Sequence, residues 1–598
     1  MESIILDILA ELREGGAGDD DELFSRVIGN PSRKTALSAQ PPSKRKVLAY
    51  YLRTRRDDPE RWARWGIDAG CEKRLLAVLQ VKRRRTASGV ATITVITKPW
   101  KCASDCLYCP NDPRMPKSYL ADEPACQRAE RNHFDPYLQA ASRLRALTSM
   151  GHVTDKVELI VLGGTWDDYP PDYRHWFISE LFRALNDDDD EREERAQDLR
   201  RASEGDRHRG PTRESAGRSV GEGAQATGRL TPLPPTCAAG DILRSLSSDE
   251  LQRQQQRNET AARRAVGLVI ETRPDTITAE SLTELRRLGC TKIQMGVQSL
   301  DPAVLHANRR DISIERIREA FELLRVFGFK THVHFMLNLY GSTPEADKRD
   351  FAHLFSDPAY RPDELKLYPC ALVAGTGLVA HFKDGSWRPY TEEELLEVLT
   401  ADTLATPSYA RISRMVRDIS AHDILAGNRK ANLRQLVEQR ICDAGQRAQI
   451  HEIRYREIAA DEVDLATVRL EALPYETTAT DEYFLQWVTP EQRIVGFLRL
   501  SLPHAGYLRR RRAELPPELG AAMIREVHVY GKVAALDATG ENAQHLGLGR
   551  RLIEAACDIA RDRGRTRINV ISAVGTREYY RGLGFEDTES GLYQQREL

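Results

Sequence analysis

Long apolar segments are missing from this chain of 598 residues. No run approaches the roughly 18–20 consecutive apolar residues of a membrane-spanning helix, which excludes a transmembrane enzyme. The start of the chain, Met1-Glu2-Ser3 followed by an amphipathic stretch, also lacks the basic region and small-residue cleavage site of a signal peptide. We therefore expect a cytoplasmic protein, with no membrane among its partners.

Cysteine is scarce as well, with ten residues in the chain. This density excludes a small scaffold held together by disulfides. Three of the ten nevertheless fall within eight positions, Cys102, Cys106 and Cys109, which indicates a metal or redox site. The hydrophobic content of 41% is enough for several cores, and at about 100–200 residues per domain the length predicts three or four domains.

Aromatic residues are absent from residues 187–266, a segment that begins with four Asp and is rich in Arg, Gly, Ser and Glu. Such a segment buries too little apolar area to offset the entropy lost when a chain is ordered. We predict a disordered insertion over about residues 187–240. Residues 242–265 could resume as a helix that leads into the next strand.

Acidic residues are absent between Arg33 and Arg56, although the net charge of the whole chain is −2. Tyr50 and Tyr51 lie in this segment. Basic side chains beside aromatic rings suit a phosphate backbone with unpaired bases, and a solvated helix face is the alternative. We predict a basic helical region over residues 1–80 that binds nucleic acid. The candidate contacts are Lys44, Arg45, Lys46, Arg83, Arg84 and Arg85.

Short runs rich in Val and Ile alternate with helix-like segments between residues 81 and 385. The runs are residues 89–97, 156–165, 265–275, 292–300, 330–341 and 364–372. Repeated strand–helix units predict an α/β fold with a parallel sheet, closed into a complete or partial barrel. Residues at the ends of barrel strands form the active face of such folds. The polar or special residues at these ends are Gly163, Gly164, Thr165, Glu271, Thr272, Arg273, Gln298, Ser299 and Asn338.

The rest of the chain predicts two further regions. Residues 386–450 are mixed and mostly helical, which is typical of a linker. Residues 451–598 contain alternating strands over 481–488, 493–502 and 522–530, then a helix that opens at Gly547 and a strand over 567–572. This last region predicts a compact α+β domain with its own core.

The three clustered cysteines form a C-x3-C-x2-C pattern directly after the first predicted strand. Three thiolates on one short loop can bind three irons of a 4Fe–4S cluster and leave the fourth iron open. Zinc is the main alternative, but a closed zinc site needs a fourth ligand, and none stands at a usual spacing. With Tyr108 before the last cysteine, the loop resembles the signature of radical-SAM enzymes.

That resemblance implies specific chemistry for the loop. S-adenosylmethionine would bind the open iron through its amino and carboxylate groups, and its reductive cleavage would release a 5′-deoxyadenosyl radical. The turn formed by Gly163, Gly164 and Thr165 resembles the glycine motif with which the family contacts the methionine amino group. Taken alone, Gly-Gly-Thr is also typical of an ordinary tight turn.

A second motif lies near the C-terminus, where Gln544-His545-Leu546-Gly547-Leu548-Gly549 leads into an amphipathic helix. Glycines let the backbone approach a pyrophosphate closely, and a helix N-terminus favours its negative charge. A predicted strand, residues 525–530, precedes the motif, and Tyr579-Tyr580 stands shortly before Gly584-Phe585. Together these features resemble a GNAT acetyltransferase, although the two tyrosines alone are also typical of core aromatics.

A radical-SAM barrel followed by a GNAT domain resembles the catalytic subunits of Elongator, which modify the wobble uridine of tRNA. Further matches are residues 271–275 (Glu-Thr-Arg-Pro-Asp), 296–299 (Gly-Val-Gln-Ser) and 525–531 (Arg-Glu-Val-His-Val-Tyr-Gly). The resemblance covers about residue 30 to the C-terminus, apart from the insertion. The segment Asn338-Leu339-Tyr340 departs from the Pro-Asp-Leu-Pro type of sequence that is usual in the family.

The resemblance implies a reaction that uses both domains. Acetyl-CoA enters the GNAT domain, its acetyl group moves to the barrel, and the SAM-derived radical takes a methyl hydrogen. The carbon radical then adds to carbon 5 of the wobble uridine in the anticodon stem-loop, which gives a 5-carboxymethyl-type uridine. An electron donor is needed, and a second copy of the chain or accessory subunits are further expected partners.

The same resemblance assigns residues to acetyl-CoA. Lys156 matches a barrel position associated with the acetyl-CoA site, and Tyr580 or Tyr579 would lie near the thioester; all three are catalytic candidates. A lysine that opens a strand is usually solvated, which is the alternative for Lys156. The remaining candidate contacts are Glu526, Val527, His528, Val529, Gln544, Gly547, Leu548, Gly549 and Arg550.

Two other functions are open on the sequence. A protein lysine acetyltransferase with a structural iron–sulfur cluster fits the GNAT motif but leaves the open iron unexplained. A non-catalytic RNA-binding module gated by acetyl-CoA fits poorly with two intact motifs. A zinc site built from Cys370, Cys442 and His451 is a further hypothesis, weakened by their separation in the sequence.

Overall fold

The computed structural model describes residues 1–14, 20–29, 42–81, 89–208, 248–458, 463–530 and 543–598. These residues form two compact units. The first contains residues 1–93 with 142–157, and the second contains residues 94–141 with 158–598. None of the helices in these described ranges combines the length and the apolarity that crossing a membrane requires.

The first unit has a helical core, as the sequence predicts for residues 1–80. Apolar side chains of α1 recur at helical spacing and are buried, from Ile4 and Ile5 through Ile8 to Leu12. Asp68 caps α5 by accepting a hydrogen bond of 2.7 Å from the Cys71 amide. The helices are α1 (Glu2–Arg13), α2 (Asp20–Gly29), α3 (Lys44–Asp57), α4 (Pro59–Ala63) and α5 (Ala69–Leu79).

The predicted barrel is an open half-barrel built on one seven-stranded sheet, in the order β1-β2-β3-β4-β5-β6-β8. All six predicted strands are confirmed, and the pairs from β3 to β8 are parallel. The strands are β1 (Ala91–Ile96), β2 (Lys156–Leu162), β3 (Arg264–Thr272), β4 (Lys292–Gln298), β5 (Lys330–Leu337), β6 (Glu364–Pro369) and β8 (Arg411–Arg414). A separate pair consists of β7 (Leu372–Val373) and β9 (Ile424–Ala426).

Helices follow the strands and cover the sheet, as expected for strand–helix units. Those before β4 are α6 (Pro124–Arg131), α7 (Pro136–Thr148), α8 (Pro171–Asn186), α9 (Asp189–His208), α10 (Ser248–Thr260) and α11 (Ala279–Arg287). Those after β4 are α12 (Pro302–Ala307), α13 (Ile314–Val326), α14 (Pro344–Ser356), α15 (Leu378–Lys383), α16 (Glu392–Ala405), α17 (Leu433–Asp443) and α18 (Ile453–Arg456).

The structure differs from the predicted insertion at α9, which is a helix although disorder was expected there. Arg192 is buried and pairs with Asp189 at 2.6 Å, and Arg195 pairs with Glu180 of α8 at 2.9 Å. Ion pairs and guanidinium–carbonyl contacts therefore replace the missing aromatic side chains. Residues 209–240 of the predicted insertion lie outside the described residues, and α10 agrees with the predicted helix that leads into β3.

The region expected to be a linker also differs from the prediction, because it contributes a strand to the half-barrel. β8 pairs in parallel with β6, with Glu364 opposite Arg411. A strand of four residues carries too weak a pattern to be recognised from sequence alone.

The C-terminal region forms a second seven-stranded sheet, in the order β10-β11-β12-β13-β14-β16-β15. Its helix α20 begins at Ala543, four residues before the predicted start at Gly547. The strands are β10 (Arg469–Glu476), β11 (Thr480–Val488), β12 (Ile494–Pro503), β13 (Ala522–Val529), β14 (Arg567–Val570), β15 (Glu586–Asp587) and β16 (Gln594–Glu597). The helices are α19 (Ala505–Arg510), α20 (Ala543–Asp562) and α21 (Arg577–Arg581).

Buried charges join this second sheet to the amino edge of the half-barrel. Asp363, directly before β6, accepts two hydrogen bonds from Arg525 of β13, at 2.7 and 2.9 Å. Arg325 at the end of α13 lies 2.9 Å from the same carboxylate, and Lys330 of β5 pairs with Glu526 at 2.6 Å. The second sheet is therefore fixed to the end of the half-barrel opposite the loops that follow its strands.

Candidate radical and acyl sites

The three clustered cysteines lie on the loop after β1, at the carboxyl edge of the half-barrel. Cys106 is buried, whereas Cys102 and Cys109 are partly buried. Arg310 Nη1 lies 3.5 Å from Cys106 Sγ, and Cys102 Sγ lies 3.8 Å from Thr165 Oγ1. Burial raises the pKa of the Cys109 thiol to about 11, with the neighbouring Cys106 adding to the shift. A thiol of this kind becomes a thiolate when it binds a metal.

The spacing of the sulfur atoms tests which metal group fits. A tetrahedral zinc ion with Zn–S bonds of about 2.3 Å would hold its sulfur ligands about 3.8 Å apart. Among the described residues, the groups whose ligand atoms lie within 4.8 Å of one another do not include these three cysteines. The three sulfur atoms are thus not gathered as one close group around a single zinc ion, and a cluster that binds each thiolate through a different iron fits the loop.

The turn of Gly163, Gly164 and Thr165 lies beside this loop, at the end of β2. Gly163 has φ of +148°, and a Cβ at this position would lie 1.9 Å from Thr97 Oγ1. Only glycine fits so close an approach between the ends of β1 and β2. The Thr97 hydroxyl in turn lies 2.8 Å from the hydroxyl of Tyr169, and this contact helps to hold the turn in place.

Two further polar residues reach the same edge, and one of them gave no signal in the sequence. Gln298, at a bulge that ends β4, has φ of +75°, and its Oε1 is buried with no partner among the described residues. Arg310, 204 positions after Cys106, follows α12 and also donates to the Gly296 carbonyl. No local pattern could have linked Arg310 to the cysteines. The buried amide oxygen suits a hydrogen-bond donor and the cation suits an anionic group, so together they suit a ligand that carries both.

Asn338, which we expected at the active face, instead holds the loop after β5. Its backbone N–H donates to the Asp347 carboxylate at 2.7 Å. Its side-chain amide donates to the Arg388 carbonyl at 3.2 Å and accepts from the Tyr390 backbone N–H at 2.9 Å. The departure from the family sequence at this position therefore has a structural role.

The glycine motif of the second sheet lies within the first turns of α20. A Cβ at Gly549 would lie 3.4 Å from Tyr579 Oη and 3.8 Å from Val529 Cγ2, whereas one at Gly547 would meet open space. Gly549, Val529 and Tyr579 therefore lie close together. Tyr580 is buried against the Phe585 ring, with ring centroids 5.7 Å apart, and burial raises the pKa of both tyrosines.

The neighbouring strand β13 contains two predicted CoA contacts with other roles. The Glu526 carboxylate is engaged by Lys330 at 2.6 Å and by Arg499 at 2.9 Å, so it belongs to the buried ion network. His528 stacks on Phe497 and meets Tyr530 edge-on, and burial lowers its pKa to about 4. A neutral His528 has a buried Nε2 without a partner among the described residues. Val527 and Leu548 pack on the core of this sheet.

The remaining predicted residues are dispersed. Lys156 is the first residue of β2, at the end of that strand opposite Gly163. On α3, Arg45 and Lys46 are exposed, whereas Lys44 lies 5.3 Å from the centre of the Phe24 ring. Arg550 is exposed at the start of α20. Arg83, Arg84, Arg85 and the side chain of Gln544 lie outside the described residues.

The hypothesis of a zinc site from Cys370, Cys442 and His451 gains no support. Within the described ranges, the groups of closely spaced potential metal ligands do not include this set. Cys370 is buried in an apolar cluster, and burial raises the pKa of its thiol to about 12. We conclude that Cys370 has a packing role.

Comparison with known families divides the chain in similar places. Residues 242–352 match the radical SAM superfamily, residues 362–442 match the radical SAM C-terminal domain, and residues 449–585 match the acetyltransferase (GNAT) family. Together with the cysteine loop at the carboxyl edge of the half-barrel, these matches define a radical SAM protein with a fused GNAT domain.

Individual relatives match along the whole chain. The tRNA uridine(34) acetyltransferase of Methanocaldococcus infernus is 32% identical over 100% of this chain and 99% of its own length. Elongator complex protein 3 of Homo sapiens is 30% identical over 97% of this chain and 94% of its own length. The chain therefore belongs to the family of tRNA uridine(34) acetyltransferases and Elongator complex proteins 3.

A solved structure agrees with this assignment. The archaeal Methanocaldococcus infernus Elp3, with an N-terminal deletion of residues 1–46, superposes with a TM-score of 0.64 at 30% identity. The match covers 86% of this chain and 100% of that chain. The radical SAM and GNAT fold predicted from the two motifs is thereby confirmed.

Proposed function

We propose that this protein modifies the wobble uridine of tRNA by joining an acetyl-derived carbon to carbon 5 of the base, which gives a 5-carboxymethyl-type uridine. The observation that carries the proposal is that one compact unit holds both predicted centres. The cysteine loop lies at the carboxyl edge of the half-barrel, and the GNAT sheet is fixed to its amino edge through Asp363 and Arg525. The names of the related tRNA uridine(34) acetyltransferases support the tRNA substrate.

On the radical side, Cys102, Cys106 and Cys109 would hold three irons of a 4Fe–4S cluster. The turn at Gly163–Thr165, with Gln298 and Arg310, would bind S-adenosylmethionine, since these groups offer backbone amides, a buried amide oxygen and a guanidinium. When bound, the cluster and SAM supply a 5′-deoxyadenosyl radical that takes a hydrogen atom from the acetyl methyl group. An electron donor is required for that cleavage.

On the acyl side, residues 547–550 and Val529 would bind the CoA pyrophosphate and pantetheine. The first turns of α20 supply oriented N–H groups and the positive end of a helix dipole. Tyr579 or Tyr580 would act at the thioester, where a phenol can polarise the carbonyl or protonate the leaving thiolate. Lys156 would hold a negative group of the same substrate.

The basic helix α3 would bind the tRNA backbone through Lys44, Arg45 and Lys46, and the further candidate contacts Arg83, Arg84 and Arg85 lie outside the described residues. Exposed cations such as Arg45 and Lys46 suit this role because phosphate contacts release counterions. Accessory subunits or a second copy of the chain would add to this surface, as proposed from the resemblance to Elongator subunits.

The test is an anaerobic assay of the purified, cluster-loaded protein with SAM, a reductant, acetyl-CoA and tRNA, followed by mass spectrometry of the nucleosides. We expect 5-carboxymethyl-type uridine, and none when acetyl-CoA or SAM is omitted. Cys106→Ser serves as the matched inactive control. Acetyl-lysine on added protein with unchanged uridine would instead favour a protein acetyltransferase. Binding of tRNA that depends on acetyl-CoA, without any product, would favour a gated binding module.

A further inference from the structure

The inner face of the half-barrel is polar, which is unusual for a parallel sheet. Inward-facing side chains of barrels are commonly Val, Ile and Leu, arranged in layers. Here β6 turns Glu364, Lys366 and Tyr368 to one face, and β5 turns His332 and His334 toward them in register. Their outward neighbours on β6, Leu365 and Leu367, are fully buried. The polar residues of the inner face are Lys292, Gln294, Lys330, His332, His334, Glu364, Lys366 and Tyr368.

In the layer nearest the amino edge, the charged side chains form ion pairs with one another, and these pairs have a structural role. Glu364 accepts from Lys292 at 2.7 Å and from Lys330 at 3.1 Å, and Arg411 of β8 lies 3.4 Å away. Lys330 also bonds Glu526 of the GNAT sheet. Burying a charge is costly unless it is paired, and these charges are paired. This layer therefore closes the amino end of the half-barrel.

The next layer is different, because its buried cation Lys366 forms no ion pair with an acidic side chain among the described residues. Lys366 Nζ donates a hydrogen bond of 2.6 Å to Gln294 Oε1. The same oxygen lies 3.2 Å from His334 Nε2. An ammonium carries three donors, so Lys366 retains donors for a further acceptor. Burial lowers the pKa of Lys366 to about 8 and keeps His334 neutral.

This layer lies between the closed layer and the carboxyl edge of the half-barrel. Tyr368 stands two positions further along β6, toward the carboxyl edge. His334 Nδ1 lies 3.6 Å from the Glu271 carboxylate. That carboxylate accepts a hydrogen bond of 2.6 Å from the Tyr119 hydroxyl, which belongs to the segment of the cysteine loop. Two positions along β6 in the other direction stands Glu364 of the closed layer. Lys366 and His334 therefore form the polar floor of a cup whose rim is the carboxyl edge.

We propose that this floor, Lys366 with Gln294 and His334, binds the acyl oxygen of the acetyl group and presents its methyl carbon at the carboxyl edge. The proposal rests on the proposed function and adds to it a place for the acetyl group during hydrogen abstraction. A thioester oxygen is an acceptor that the remaining N–H donors of the Lys366 ammonium can bind, while Gln294 and the neutral His334 hold that ammonium in place. After thioester hydrolysis, the same cation would hold the product carboxylate.

The floor would position the acetyl group for a hydrogen-atom transfer. A C–H bond of the acetyl methyl group breaks homolytically, and the hydrogen atom forms a new C–H bond at the 5′ carbon of the deoxyadenosyl radical. The unpaired electron passes to the acetyl carbon, so neither an oxidant nor a proton acceptor is needed. With acetyl-CoA carrying three methyl deuteriums, the transferred atom appears as deuterium in 5′-deoxyadenosine.

The experiment compares Lys366→Met, Lys366→Arg and the control Lys348→Met in the cluster-loaded full chain. Lys348 lies on α14 and pairs with Glu397 at 2.7 Å. Deuterium in 5′-deoxyadenosine is measured by mass spectrometry, and binding of acetyl-CoA and of CoA to the cluster-free protein is measured by calorimetry. For Lys366→Met we expect at least a tenfold loss of deuterium transfer and loss of the preference for acetyl-CoA over CoA. We expect CoA binding, iron content and SAM cleavage to remain.

A pH series separates binding from a merely structural role. Deuterium transfer by the wild type should fall above about pH 8, where Lys366 loses its proton, whereas Lys366→Arg should restore transfer and remove that fall. The charged or titratable groups that face Lys366 are Glu271 of β3, Lys292 of β4, His334 of β5, Glu364 of β6 and Arg414 of β8. His334, with its pKa well below 6.5, does not titrate in this range.

The outcomes distinguish this proposal from the proposed function. If the wild type transfers no deuterium and makes no modified uridine, the proposed function fails. If the wild type does both and Lys366→Met keeps either wild-type deuterium transfer or the acetyl preference, the floor is not the acyl site. Equal losses in Lys366→Met and Lys348→Met would also overturn it.

Discussion

Asp363 and Arg525 form a bidentate ion pair that is fully buried, with N···O distances of 2.7 and 2.9 Å. Asp363 belongs to the half-barrel and Arg525 to the GNAT sheet, 162 positions later. Burial by itself would raise the pKa of Asp363, but Arg325, Arg525 and Arg499 outweigh it and hold the pKa well below the usual value. The pair fixes the spatial relation between the two proposed centres.

We expect Asp363→Asn to lower the free energy of unfolding by about 3–5 kcal/mol, because it leaves buried guanidinium groups without a counter-charge. Chemical denaturation of the full chain measures the change. The control is Asp198→Asn, which removes an exposed partner of Arg201 and should cost below about 1 kcal/mol. A loss for Asp363→Asn as small as that of the control would contradict the structural role.

The same pair contributes to acid sensitivity. Since the pKa of Asp363 is lower in the folded state, its contribution is present above the pKa of the unfolded chain and is lost as the pH falls below it. Stability of the wild type should therefore decrease below about pH 4. Asp363→Asn should flatten this part of the curve, and an unchanged slope would assign acid sensitivity to other carboxylates.

A second prediction concerns the cysteine loop. Reconstituted wild-type protein should contain about four irons, as one cluster requires. Cys106→Ser should lose the brown chromophore and SAM cleavage, whereas Cys290→Ser, a buried cysteine outside the loop, should keep both. Iron analysis and 5′-deoxyadenosine formation measure these outcomes. Retention of cluster and cleavage by Cys106→Ser would contradict the ligand assignment.

A third prediction concerns the basic helix α3. Replacing Lys44, Arg45 and Lys46 together with Gln should weaken tRNA binding and reduce the slope of log affinity against log salt by about 2, at roughly 0.7–0.9 per phosphate contact. Fluorescence titrations at several salt concentrations measure both. A matched variant loses the same charge elsewhere, at Lys348, Lys383 and Lys430. Equal losses in both variants would mean that net charge, not this helix, decides binding.

A fourth prediction concerns the glycine motif. Gly547→Leu and Gly549→Ala should keep the fold, since a Cβ meets open space at the first and ordinary contacts at the second. Each should raise the Kd for acetyl-CoA at least about tenfold, or roughly 1.4 kcal/mol, because side chains occupy the approach to the pyrophosphate. Cluster loading and tRNA binding should persist. Gly520→Leu, also in open space, is the control.

The glycine variants also test the use of two domains. If either one still makes modified uridine from acetyl-CoA at the wild-type rate, the GNAT sheet serves another substrate and the two-domain reaction is wrong.

A fifth prediction separates the two tyrosines. Because Tyr579 Oη faces Gly549 whereas Tyr580 packs on Phe585, Tyr579→Phe should lower thiol release from acetyl-CoA by about 100-fold, a typical effect of a lost general acid. Tyr580→Phe should change it less than threefold. Thiol release with and without tRNA, and Kd for CoA, are measured for both. A larger effect of Tyr580→Phe would reverse the assignment.

Local patterns in the sequence determined much of this protein. The alternation of apolar strands and amphipathic helices predicted six strands of the half-barrel, because parallel strands are buried on both faces and read as apolar runs. The cysteine spacing and the glycine motif each lie within ten residues, so their chemistry is visible without a fold. Short elements such as β8, and the helix α9 held by Arg192, were missed because their stability comes from partners outside the segment.

Only the tertiary structure decided how distant residues meet. Arg310 reaches Cys106 across 204 positions, and Glu526, which looked like a CoA contact, is engaged by Lys330 across 196. Lys366 reads in sequence as one polar residue in a short strand, yet the register of β4, β5 and β6 places it inside the half-barrel beside Gln294. The alternation of side chains between the two faces of a strand is a local property. Which face becomes the interior depends on how the whole sheet curls, and the sequence of a single strand does not determine that.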